Sequence, residues 1–161
     1  MQTHLSIQAS VGRAHETFLR KHLRRVIPLL AHRLSDVSIA LVNDATMSDL
    51  HQRFMNLPGP TDVLTFPLDD SGNGEIVICV PEAARRAKQH RSSVRNELLL
   101  YAIHGMLHLC GMDDRTQRGF QQMHRMEDQI LTKIGVGAVF ARQDSARPPK
   151  RARRNETKGM R

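Results

Sequence analysis

Apolar residues recur along this chain in two periods, and the periods divide it into strands and helices. Residues 2–8 (Gln-Thr-His-Leu-Ser-Ile-Gln) alternate, which predicts a first strand. Over 13–33 the apolar positions Phe18, Leu19, Leu23, Val26, Ile27, Leu29 and Leu30 fall at helical spacing, with a proline late in the run. This predicts an amphipathic helix kinked or ended near Pro28. Val37 to Val42 predicts a second strand, and Asp44 is placed to cap a helix running from Ala45 to about Met55. Pro58-Gly59-Pro60 is a turn, Asp62 to Phe66 a short strand closed by Pro67, and Asp69 to Gly74 a strong turn signal. A β-branched run from Glu75 to Val80 predicts a strand, and Pro81 opens a helix reaching about His90. Ser92 or Ser93 starts another helix, whose Leu98, Leu99, Ala102, Ile103 and Leu107 keep helical spacing. Thr116 to about Ile134 is the last, ended by the Gly135–Gly137 stretch.

These elements predict a single-domain α+β fold: a mixed sheet of about four strands packed by about five helices. The helix after Ser93 is apolar on most faces, so it is expected at the centre. Length bounds the body to one domain with a real core. We place that domain at 1–140 and a basic, disordered tail at 141–161. From Ala141 to Arg161 there are eight Lys or Arg against two acids, so the tail holds most of the formal net charge of +8. Such a tail gathers polyanions without reading sequence. No apolar run approaches the ~20 residues of a membrane span, and no secretory signal is read at the start. Two cysteines, Cys79 and Cys110, are expected reduced, in keeping with a cytoplasmic location.

The candidate chemistry lies at the end of the central helix. His104 and His108 stand at i and i+4, on one helical face, and Asp114 follows in the run His-Gly-Met-Leu-His-Leu-Cys-Gly-Met-Asp-Asp. Gly111 sits where the helix should end, since glycine enters the left-handed cap conformation cheaply. The chain then turns back and offers Asp114 as a third ligand. Two imidazoles and one carboxylate, with a position open to water, form a ligand set of catalytic Zn²⁺. Gly105 occupies the place where the metallopeptidase pattern His-Glu-x-x-His needs its general base, which leaves a zinc-dependent peptidase as an alternative only. His51, His90 and His124 are expected as surface or core histidines, with His124 the substitute third ligand. Glu97 is expected as a helix-surface acid.

Three segments together resemble the YbeY family of endoribonucleases that act in ribosomal RNA maturation. They are Pro60-Thr61-Asp62-Val63-Leu64-Thr65-Phe66-Pro67, Gly74-Glu75-Ile76-Val77-Ile78, and the metal run itself. Their order and spacing match the family over roughly 35–135. The resemblance implies a single-strand-directed, metal-dependent endoribonuclease acting in small-subunit rRNA 3′ end maturation and ribosome quality control. It also implies one zinc ion, and as partners RNA and the small ribosomal subunit or its proteins, with neither membrane nor DNA. Two positions depart from the family pattern. Asp114 replaces the third ligand histidine, and Met55 occupies the place of a functional arginine. Arg53 lies two residues from Met55, about 200° around a helix, and with Arg115 is a candidate phosphate-contacting residue. Arg118 is a further one. Asp113 matches a family Asp and is a candidate partner for a ligating histidine. Thr61 and Asp62 are candidate cleft residues. With one Tyr, five Phe and no Trp, base stacking along a strand is not expected. A ribosome-associated factor with a purely structural metal is the third reading.

Overall fold

The computed structural model describes residues 2–138. The basic tail, and the last two residues of the domain as bounded above, lie outside the described residues. Four strands form one sheet: β1 (His4–Ala9), β2 (Asp36–Val42), β3 (Val63–Pro67) and β4 (Gly74–Cys79). Their spatial order is β1-β2-β4-β3, with β1, β2 and β4 parallel and β3 antiparallel to β4. The mixed four-stranded sheet and its five helices match the α+β expectation. The helices are α1 (Glu16–Val26), α2 (Asp44–Met55), α3 (Val80–His90), α4 (Val94–Leu109) and α5 (Gln117–Lys133).

The caps follow the local chemistry with one correction. Ser93 and Thr116, at the expected helix starts, accept from Asn96 N and Gly119 N through their hydroxyls. The cap of α2 is Asn43, whose Oδ1 accepts from Thr46 N at 2.9 Å. Asp44 is instead the first helical residue. Its carboxylate, near the positive end of the helix, meets the Arg85 guanidinium at 2.6 Å. The helix over 13–33 is shorter than its apolar spacing suggested. Short 3₁₀ turns at Arg13–His15 and Ile27–Leu29 bracket α1, and Pro28 sits in the second, where its missing N–H costs nothing.

Helix α4 is the axis of the core. Leu98 to Ile103 and Gly105 to Leu107 are all buried, so the helix is covered on every side. It crosses β4 at Gly105, where a Cβ would stand 2.8–3.0 Å from three side-chain carbons of Ile76. Helix and sheet therefore approach more closely than any larger residue permits. Glu97, expected at the surface, is buried on the face of α4 turned toward α3, where His90 Nδ1 lies 3.8 Å from its carboxylate.

Candidate metal centre

The C-terminal turn of α4 sets the site. The helix ends at Leu109, and Gly111 takes φ +92°. Gly111 N donates to His108 O at 2.9 Å and Met112 N donates to Leu107 O at 3.1 Å. This paired closure satisfies the last carbonyls and reverses the chain. The reversal has two effects on the site. It aims the Met112 carbonyl at His108 Nδ1, 3.0 Å away, and it returns Asp114 over the helix end.

Asp114 Oδ2 lies 3.3 Å from His104 Nε2 and 3.5 Å from His108 Nε2. The two Nε2 atoms are 3.0 Å apart. Among the described residues these three side chains form the one group of His, Cys, Asp or Glu whose ligand atoms converge, all within 4.8 Å of one another. Tetrahedral zinc with bonds of about 2.0–2.1 Å places neighbouring donors about 3.3 Å apart. The spacing fits such an ion.

The protonation pattern points the same way. His104 Nδ1 donates to Glu127 Oε1 at 2.6 Å, and a carboxylate can only accept. His108 Nδ1 donates to a carbonyl, with the same consequence. Both rings are thus committed to Nδ1–H, and their Nε2 lone pairs face each other. Two ring nitrogens at that separation share a cation, either a proton carried by one ring or a metal ion held between them. Glu127 is fully buried on α5 and also accepts from His124 Nδ1, at 2.7 Å. Burial works to raise its carboxyl, but the hydrogen bonds from His104 and His124 outweigh it and hold the group below the usual glutamate value. For His104 burial works to lower the imidazole, and the bond and charge of Glu127, with Asp114 and Asp62 behind, raise it instead.

The three donors open onto a cleft of about 820 Å³ between α4, α5, α2 and β3. Its lining includes four carboxylates (Asp62, Glu97, Asp114 and Glu127) and one arginine, Arg86. Such a lining favours a multivalent cation at its centre. Thr61 and Asp62 line the cleft as expected. Asp62 accepts from Val63 N at 2.8 Å and pairs with Arg86 at 3.4 Å.

The other candidates lie elsewhere. Asp113 does not support a ligating histidine: Glu127 and Met112 O hold those positions. Its carboxylate instead takes the backbone N–H of Arg115 at 2.9 Å and its guanidinium at 2.7 Å, and that hydrogen bonding holds it below the usual aspartate value. Arg115 is 87% exposed, and Arg118 is exposed too; neither lines the cleft. Arg53 points away, paired with Asp49 at 3.4 Å, while Met55 does line the cleft. His124 stands behind His104 and is not in the convergent group. Cys110 is free and directs its Sγ toward His32 O.

Reading the chain in one dimension missed two groups. Glu127 is separated from His104 by 23 positions and reads as one more polar residue on an amphipathic helix. Arg86 reads as a solvated helix cation. For Glu127 a faint signal existed, since it shares the inward stripe of α5 with Met123, Ile130 and Leu131.

A family model described as Endoribonuclease YbeY matches residues 4–135. Curated relatives of that name include one from Thermobifida fusca, 36% identical over 131 residues, covering 73% of this chain and 84% of the relative. Another, from Rhodococcus opacus, is 38% identical over 129 residues and covers 71% and 72%. A solution structure from Thermotoga maritima superposes with a TM-score of 0.58 at 23% identity, over 95% of this chain and all of that one, and supports the fold. The chain belongs to the YbeY family.

Proposed function

We propose that this member of the YbeY family is a zinc-dependent endoribonuclease that cuts phosphodiester bonds of single-stranded RNA. Its substrate is ribosomal RNA, with the small-subunit 3′ end as the site of processing, and it serves ribosome quality control in the cytoplasm. The small subunit or its proteins are the partners. The observation that carries this reading is the convergence of His104 Nε2, His108 Nε2 and Asp114 Oδ2, with each histidine tied from behind at Nδ1.

His104, His108 and Asp114 are the residues that hold the ion. Zinc bound there would polarise a phosphoryl oxygen and bring a water toward neutral pKa. Glu127 keeps His104 in the Nδ1–H form and fixes its ring plane, and the Met112 carbonyl does the same for His108. Asp114 brings one negative charge more than an imidazole would. Asp62 holds Arg86 at the cleft wall, where the guanidinium is placed to meet a phosphate oxygen. Arg115, beyond the third ligand, is a more distant phosphate contact for a longer RNA. The tail adds unspecific attraction to the polyanion.

The other two readings have less behind them. A peptidase of the His-Glu-x-x-His kind would need its base at Gly105, but that position is buried against Ile76 and does not face the cleft. A purely structural metal would not need an open cleft of this size beside it.

Elemental analysis of the purified protein should find about one zinc per chain, as a three-ligand site with an open position requires. Asp114→Ala should lose most of it. Metal-loaded protein should cut single-stranded RNA, and a His104→Ala, His108→Ala double variant should not. Equal RNA loss from both preparations would assign the cutting to a contaminant.

A further inference from the structure

The cleft has a second wall that the metal chemistry does not use. Phe54, Met55 and Leu57 are 58%, 55% and 49% exposed, and they make up three of the five large exposed hydrophobics among the described residues. They cluster at the C-terminal turn of α2, where Asn56 takes φ +54° and the chain leaves for the Pro58-Gly59-Pro60 turn. Scattered exposed apolar side chains need no explanation, but a run of them on a cleft does. Helix α2 meets its packing needs elsewhere, through Met47 and Leu50. Phe54 is therefore not held out by a lack of choice in the core.

The Phe54 ring is braced. Phe66 on β3 meets it edge-on at 5.1 Å between centroids, 65° between planes. The Arg53 guanidinium carbon is 5.8 Å from the same ring. Phe54, Met55 and Phe66 line the same cleft as His104, His108 and Asp114. An exposed aromatic face with a thioether beside it, on the cleft that holds the three donors, matches a base to stack.

We propose that this lip, with Phe54 as its platform and Met55 and Phe66 beside it, receives an unpaired nucleobase next to the phosphodiester cleaved at the metal centre. The inference rests on the endoribonuclease reading and adds the way an unpaired strand is distinguished. A base inside a duplex has both faces covered by its neighbours and cannot enter. A base in a single strand presents a free face, and stacking on an aromatic ring is tolerant of which base it is. One such platform suffices for one nucleotide, so the low aromatic content of the chain is no obstacle. Met55 then gives apolar contact where a cation at that position would grip phosphate.

The test uses the full chain and oligoribonucleotides carrying 2-aminopurine at successive positions. Metal-free protein should quench the fluorescence of one position, and Phe54→Ala should abolish that quenching while Phe54→Trp retains it. With metal-loaded protein, Phe54→Ala should raise KM about tenfold, with a much smaller change in kcat. An abasic substrate at the quenched position should bind wild type and Phe54→Ala equally. Unchanged quenching and KM in Phe54→Ala would overturn the proposal. So would a change in oligomeric mass caused by that substitution, which would make the lip a seat for a second copy. Phe54 is exposed, so its variants should retain the wild-type circular dichroism and melting transition. Quenching without any RNA cleavage would support the lip and overturn the nuclease reading; cleavage without quenching would do the reverse.

Discussion

The two walls of the cleft are built on opposite terms. The α4 wall is rigid, because its helix is buried from Glu97 to Leu107 except at His104 and its histidines are each tied at Nδ1. The α2 wall buries Met47 completely and leaves its last turn in solvent. Metal ligation needs donors held to within a fraction of an ångström, which only a packed support provides. Reception of a flexible strand needs apolar surface that is not already used by the core. One cleft can serve both because its two sides come from elements with different packing obligations. Variants on the first wall should therefore change metal content or stability, and variants on the second should change neither.

The sharpest way to break this contrast is at Glu127. Glu127→Gln keeps the shape but not the charge, and should weaken zinc binding about 10- to 100-fold, the usual cost of removing such a supporting group. Competition with a chromogenic chelator measures it. Unaltered affinity would show that the α4 wall is not held from behind.

Packing comes next. Gly105→Ala places a methyl against Ile76 and should destabilise by roughly 1–3 kcal/mol in urea unfolding, the range for an overpacked core. Ile76→Val in the same chain should recover part of that loss, because it shortens the opposing side chain. Strict additivity of the two changes would place the strain elsewhere.

A pH series on metal-free protein tests the same wall electrostatically. The folded carboxyl of Glu127 lies below its unfolded value of 4.5. Its contribution is therefore complete above about 4.5 and is lost as pH falls through the lower folded value. Glu127→Gln should melt with less dependence on pH across that acid window, and parallel curves for the two proteins would contradict the assignment.

The smallest effect is expected beside the ligands. Asp113→Asn breaks a solvent-exposed pair with Arg115, and zinc content should be unchanged, with cleavage within about twofold of wild type. A large loss of metal would show that Asp113 reaches the centre in solution.

Much of the architecture was legible in one dimension. Alternation marked the first strand, β-branched and apolar runs between turn signals marked the others, and Ser93 and Thr116 stand where their helices were expected to start. At Asn43–Asp44 the same reasoning chose the wrong neighbour. Both side chains can cap, and the Arg85 guanidinium on a distant helix draws Asp44 into the first turn. The candidate arginines were less legible. Neither Arg53 nor Arg115 enters the cleft, and Arg86, a cation of ordinary appearance on α3, does.

The candidate metal triad was determined by local sequence: four residues of helix, a glycine that ends it and an aspartate a few positions on are governed by backbone geometry alone. Its support and its opposite wall were decided by the tertiary structure. Glu127 meets His104 only because α5 packs on α4, and Phe54 meets Phe66 only because β3 folds back onto β4 beside α2. Periodicity says which face of an element is turned inward. Which other element that face meets depends on the order of the strands and the way the helices pack around α4.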